Sequence, residues 1–183
     1  MICPIDLEVE KIHACSNDCI LYHGEKYKDL DKCPKCEAPR YKKGSSDEGT
    51  KTRGGPVKVV WYFSIAPRVH RLFACAKSAK LLHWHDEERK KDTMMRHPTN
   101  GHDHRTINTM FYKDIGGEVR HLWFALSTDG MNPFEQVRSN HSTWPVTLCI
   151  YNLLPWVCMK RSYIQMPLLS KGQDNLGMTS MCF

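Results

Sequence analysis

Two close cysteine pairs stand near the N-terminus, Cys15-Ser-Asn-Asp-Cys19 and Cys33-Pro-Lys-Cys36, separated by 13 residues. Each short pair can fold into a tight turn, and the loop between them can bring four thiolates round one tetrahedral Zn²⁺. The first pair encloses three residues where two are usual. Glu37 follows the second pair, at a place where a glycine often permits a positive φ. His13 and His23 flank the first pair as alternative ligands. With so few apolar residues between Cys15 and Cys36, the metal would be required for folding and be catalytically silent. The competing reading is a set of buried, redox-idle thiols.

The second candidate is one carboxylate. Leu122 to Phe134 reads LWFALSTDGMNPF, an apolar run that stops at Asp129 and continues with Gly130, Asn132 and Pro133. A strand that carries an acid to its end and then turns is how many metal-dependent phosphoryl-transfer sites begin, but a strand followed by an ordinary Asp-Gly turn reads the same way. A two-metal site needs several carboxylates to hold cations about 3.5–4 Å apart. Asp129 alone does not supply them. Five further histidines, His83, His85, His97, His102 and His104, fall close together, but their spacing fits no standard metal site, so they read as surface or structural residues.

The chain of 183 residues has room for one medium domain, or for a metal-stapled module attached to a larger piece. Its net charge of +6 is unevenly spread. Residues 1–39 carry 5 basic and 8 acidic side chains, residues 40–96 carry 14 and 6, and residues 97–183 carry 7 and 6. A basic middle points to a polyanion such as nucleic acid, although solvated helix faces give the same count. The N-terminus has no basic segment leading into an apolar one, and nine cysteines is an odd number, so a reduced compartment is expected. Cys3, Cys75, Cys149, Cys158 and Cys182 read as small hydrophobes. Ser139 to Met159 lacks Asp, Glu, Lys and Arg, but His141, Pro145, Asn152 and Pro155 break it into pieces too short to span a bilayer.

The positioning elements follow in order. Residues 1–42 form the cysteine module, and the Gly/Ser/charged stretch 43–56 forms a linker. Val57 to Phe63 reads as a strand or extended segment. Pro67 opens one helix in which Val69, Leu72, Phe73, Ala76 and Ala79 share a face while Arg68, Arg71, Lys77 and Lys80 point elsewhere. Residues 98–118 read as a polar loop, ending a basic helical or extended region over 57–121. In 122–183 three apolar runs, Leu122–Ser127, Trp144–Tyr151 and Tyr163–Leu169, read as a three-stranded antiparallel meander. The fold class is α+β.

Six blocks in register, HACSNDCILYHG (13–24), CPKCEAPRYK (33–42), VVWYFSIAPRVHRLFA (59–74), HWHDEERKKDTMMRHPTNG (83–101), WFALSTDGMNPF (123–134) and STWPVTLCIYNLLPWVCMKR (142–161), resemble the transposases of plant CACTA-type (En/Spm-like) DNA transposons. The resemblance implies a nuclear cut-and-paste transposase with a ribonuclease-H-like, acid-triad core that acts with Mg²⁺ on transposon ends. Its partners would be DNA and a second copy of the chain. It implies that residues 122–183 open that core and that Asp129 is its first catalytic, Mg²⁺-binding carboxylate. After Leu169 the chain departs from the family pattern, with Asp174 as the one acid that follows. The expectation is a fragment or decayed copy that binds zinc and DNA without complete strand-transfer activity. The alternative is a non-catalytic zinc-ribbon module for protein interaction.

Overall fold

Four of the five strands grow from the apolar runs. In the computed structural model, which describes residues 8–44, 54–90, 92, 94–115, 120–132 and 142–172, they are β1 (Val9–Ala14), β2 (Lys58–Phe63), β3 (Phe124–Thr128), β4 (Thr143–Ile150) and β5 (Gln165–Lys171). They form one five-stranded sheet in the order β1-β2-β5-β4-β3. The β1–β2 and β2–β5 pairs are antiparallel, with Ile12 opposite Val60 and Trp61 opposite Leu169. The meander expected from the three late runs is present as β3, β4 and β5, neighbours in sequence order. What the sequence did not announce is that β1 and β2 extend the same sheet.

The helices are α1 (Gly24–Tyr27), α2 (Ala66–Ala74), α3 (Ala76–Leu82), α4 (Trp84–Glu87), α5 (His102–Ile115) and α6 (Pro155–Cys158). The single helix expected after Pro67 is two. Cys75 adopts extended backbone (φ −92°, ψ 112°) between α2 and α3, although its carbonyl still accepts from the Ala79 amide at 2.8 Å. Residues 98–118, expected to be a loop, hold a 3₁₀ turn over Pro98–Asn100 and then the 14-residue helix α5. Its Ile107, Met110 and Phe111 recur at helical spacing, a signal that the loop reading passed over, and all three are exposed. The described part of Ser139–Met159, residues 142–159, holds β4, a turn and α6, and no helix among the described residues is long and apolar enough to cross a membrane. Most of the expected linker, residues 45–53, lies outside the described residues, as do Cys3, Asp174 and Cys182.

The chain divides into two compact units, residues 1–63, 128–146 and 168–183 in the first, residues 64–127 and 147–167 in the second. The second has a core of Leu82, Ile150, Leu153, Val157 and Cys158, against which Leu72, Phe73 and Tyr163 pack. Each fully buried aliphatic side chain there contributes about 1.5–3 kcal/mol. Asn152 lies wholly buried beside them. Its Oδ1 accepts from the Trp123 amide at 2.7 Å, and its Nδ2 donates to the His121 carbonyl at 2.7 Å and to the His85 ring.

Three of the clustered histidines are structural, as expected. His97 is 4 % exposed, its Nδ1 accepts from the Thr99 hydroxyl at 2.8 Å, and its ring meets Trp84 and Tyr151 edge-on. His85 donates from Nδ1 to the Leu82 carbonyl. His104 packs on Trp123 with ring centroids 4.4 Å apart. Burial holds all three imidazoles below their usual pKa, and His104, with Arg89 adding repulsion, falls to about 4.

Candidate metal centre

The cysteine module is built from two turns of the same design. Cys15 accepts from Asp18 (3.1 Å) through its carbonyl and donates its amide to Ile20 (3.0 Å); Cys33 accepts from Glu37 (2.8 Å) and donates to Ala38 (2.9 Å). Each turn passes through one left-handed residue, Asp18 at φ 56° and Glu37 at φ 59°. The positive φ anticipated after the second pair is there, without the glycine that would accept it easily. A non-glycine left-handed residue costs about 1–2 kcal/mol. Glycine returns most of that in the folded state and gives back about 0.5–1 kcal/mol through chain entropy. Glu37→Gly is therefore expected to stabilise the metal-loaded module by about 0.5 kcal/mol, read as a higher thermal midpoint, while Glu37→Ala gains nothing.

These turns bring the four Sγ atoms of Cys15, Cys19, Cys33 and Cys36 within 4.8 Å of one another. Four ligands at the usual Zn–S length of about 2.3 Å lie about 3.8 Å apart around a tetrahedron, so the donor set and its spacing fit a tetrahedral ion such as zinc. Cys15 and Cys33 are each 1 % exposed, and Cys19 and Cys36 are half-buried at the mouth. Around them Tyr22, Ile20, Leu30 and Ala38 form the module's small core.

The protons are unevenly held. Cys36 is drawn down to about 7, first by the Ala38 amide and then by the Cys15 thiol 3.4 Å away. Cys19 is pushed up to about 12, chiefly by its hydrogen bond with Cys36, and burial raises Cys15. Capture of a divalent ion must expel the protons that the thiols still carry.

Neither flanking histidine joins the set. His13 Nδ1 accepts from Arg40 Nε at 3.0 Å and its ring meets Tyr41 edge-on, while His23 sits 3.5 Å from Glu10. Arg40 is the module's clip. Its guanidinium lies over Tyr22, 4.7 Å from the ring centroid, and also donates to the Lys28 and Leu30 carbonyls. Asp18 accepts from Lys58 of β2 at 2.5 Å, in an ion pair whose lysine side chain is 9 % exposed. Neither tie follows a spacing rule, so neither was legible in the sequence. Among the described residues no other group of three or more His, Cys, Asp or Glu side chains can hold an ion.

Asp129 is exposed, immediately after β3. The chain does not turn at Asp129-Gly130. It runs on to Met131, which pairs with Thr143 through reciprocal hydrogen bonds of 2.9 and 2.8 Å. Gly130 is required for space, not for a turn: a Cβ there would lie 2.9 Å from the Trp144 indole, and one on Gly172 would lie 2.6 Å from its Nε1. The Asp-Gly pair is thus a close approach of backbone to indole within a continuing pair of strands.

Residues 92–181 match the family model of the tnp2 transposases. The matched segment takes in α5, the strands β3 to β5 and Asp129, and leaves the cysteine cluster, α2 and α3 outside. No curated protein and no solved structure matches the chain at a significant level.

Proposed function

We propose that this chain is a DNA-associated, zinc-stapled portion of a CACTA-type (En/Spm-like) transposase that works in the nucleus. The match of residues 92–181 to the tnp2 transposases carries this reading; the six blocks quoted above extend it to the CACTA elements and to a ribonuclease-H-like core. The module of residues 1–42 binds Zn²⁺ through Cys15, Cys19, Cys33 and Cys36 and keeps it saturated with thiolates, which leaves no open position for chemistry. The core begins within 122–183, where Asp129 is the first Mg²⁺-binding carboxylate. Among the described residues Asp129 belongs to no group of three or more side chains that could hold an ion, and on this reading strand transfer by the chain is incomplete.

Titrating the metal-loaded chain against duplex DNA at several salt concentrations tests this. Binding whose logarithm falls steeply and linearly with the logarithm of salt is expected, since neutralising each phosphate releases about 0.9 of a counterion. Absence of binding at low salt rules DNA association out. Mg²⁺-dependent cleavage that disappears in Asp129→Ala would overturn the incomplete site.

One observation favours a different role for the cysteine module itself. Residues 8–44 carry 8 basic and 7 acidic side chains, a mixed surface suited to a protein partner better than to phosphates. The alternative is therefore a zinc ribbon that binds protein.

A further inference from the structure

From Val57 to His85 the chain contains no aspartate or glutamate, yet it contains Lys58, Arg68, Arg71, Lys77 and Lys80. The fold sorts these cations. Lys58 is engaged by Asp18. Arg68 is half-buried and donates to the carbonyls of Ser64 and Met166, each at 3.2 Å. Lys77 and Lys80 stay exposed, as do His70 and Arg71, the last with a partner of its own.

Their placement is periodic. On α2 the exposed positions are Ala66, Pro67, His70, Arg71 and Ala74, while Leu72 and Phe73 turn toward the core of Leu82 and Ile150. On α3 Ala76, Lys77 and Lys80 are exposed and Leu82 is buried. The outer faces therefore present cations separated by small side chains, over which a bulky polyanion can come close. Like charges three apart, as Lys77 and Lys80 are, destabilise a helix by a few tenths of a kcal/mol, and neither helix supplies an acid to offset them. The nearest acids in sequence, Asp86, Glu87 and Glu88, come after α3 has ended. An ordinary solvated face mixes both signs, as residues 8–44 do.

We propose that the outer faces of α2 and α3 form the ridge that holds the phosphate backbone of duplex DNA, without reading its bases. This rests on the DNA association proposed above and locates it outside the segment that matches the tnp2 transposases. The ridge engages phosphates as point charges, so its contribution is sequence-independent and salt-sensitive.

The test uses the metal-loaded full chain, a labelled duplex of arbitrary sequence and a salt series. Replacing both exposed lysines, Lys77→Ala with Lys80→Ala, is expected to lower the log–log salt slope by about 1.8 and weaken binding at low salt on the order of tenfold or more. Replacing Lys26 and Lys35 of the cysteine module by alanine is expected to leave the slope unchanged. Circular dichroism of each variant should retain the wild-type helix content, as expected for changes at exposed positions. If the wild type binds and the Lys77/Lys80 variant keeps its slope, or the Lys26/Lys35 variant loses as much, the ridge is wrong and DNA association stands. If the wild type does not bind, DNA association fails and the ridge with it.

Discussion

Stripping the metal with a strong chelator is expected to unfold residues 8–44 while the core around Ile150 and Leu153 survives. A piece of this size has too little apolar surface to fold alone; its buried core is Cys15, Tyr22 and Cys33, two of the three being proposed metal ligands. The left-handed backbone of Asp18 and Glu37 opposes the fold further. Apparent metal-binding energies of about 10–16 kcal/mol in thiolate-rich modules exceed both deficits and act as folding energy. Hydrogen exchange should therefore show protection lost at the Cys15, Glu37 and Ala38 amides on chelation and restored by Zn²⁺. Cys33→Ser should behave like chelated protein even with zinc in excess. Retained protection in chelator would mean that the thiols are merely buried, as the competing reading of the sequence has it.

A comparable loss is expected in the second unit from one polar residue. Asn152→Leu keeps the branching and the number of heavy atoms but removes the acceptor for the Trp123 amide and the donor for the His121 carbonyl, both at 2.7 Å. Each buried polar group left unsatisfied costs about 1–3 kcal/mol, so the variant should lose about 3–5 kcal/mol, a large share of the 5–15 kcal/mol typical of a domain. Urea denaturation followed by tryptophan fluorescence would measure it. Asn152→Asp should cost nearly as much, because it keeps an acceptor for Trp123 but turns a carboxylate on the His121 carbonyl. A loss under about 1 kcal/mol for Asn152→Leu would show that the site relaxes and that Asn152 is no keystone.

The cysteine cluster was legible because ligand spacing is local: the geometry of CxxxC and CxxC is fixed within a few bonds, and Glu37 even marked its own strained backbone. The apolar runs of β2, β4 and β5 were legible for a similar reason, since strands that bury side chains must be apolar; β3 read as an apolar run although Phe124 and Leu126 stay exposed. Other features depended on distant partners. β1 exposes Val9, Glu10 and Lys11 and buries Ala14, so it carries no alternation to read. The break at Cys75 has no proline or glycine to mark it. Asp129-Gly130 looked like a turn because the indole that occupies the space of a side chain belongs to Trp144, 14 residues later. Arg40 counted as part of a basic middle, whereas the fold uses it to clip Tyr22, His13 and two carbonyls together.

The pairing of β1 with β2 links metal supply to solubility. β1 leads directly into the first cysteine turn and covers one edge of β2, whose sequence KVVWYF combines β-branched and aromatic residues with a single charge. Lys58, that charge, is held by Asp18 of the same turn. On the proposed zinc site, loss of the ion would free β1 of its anchor and uncover the edge of β2 with its one gatekeeper released. Such an edge is a template for intermolecular strand pairing, so zinc starvation would act on this protein first as precipitation.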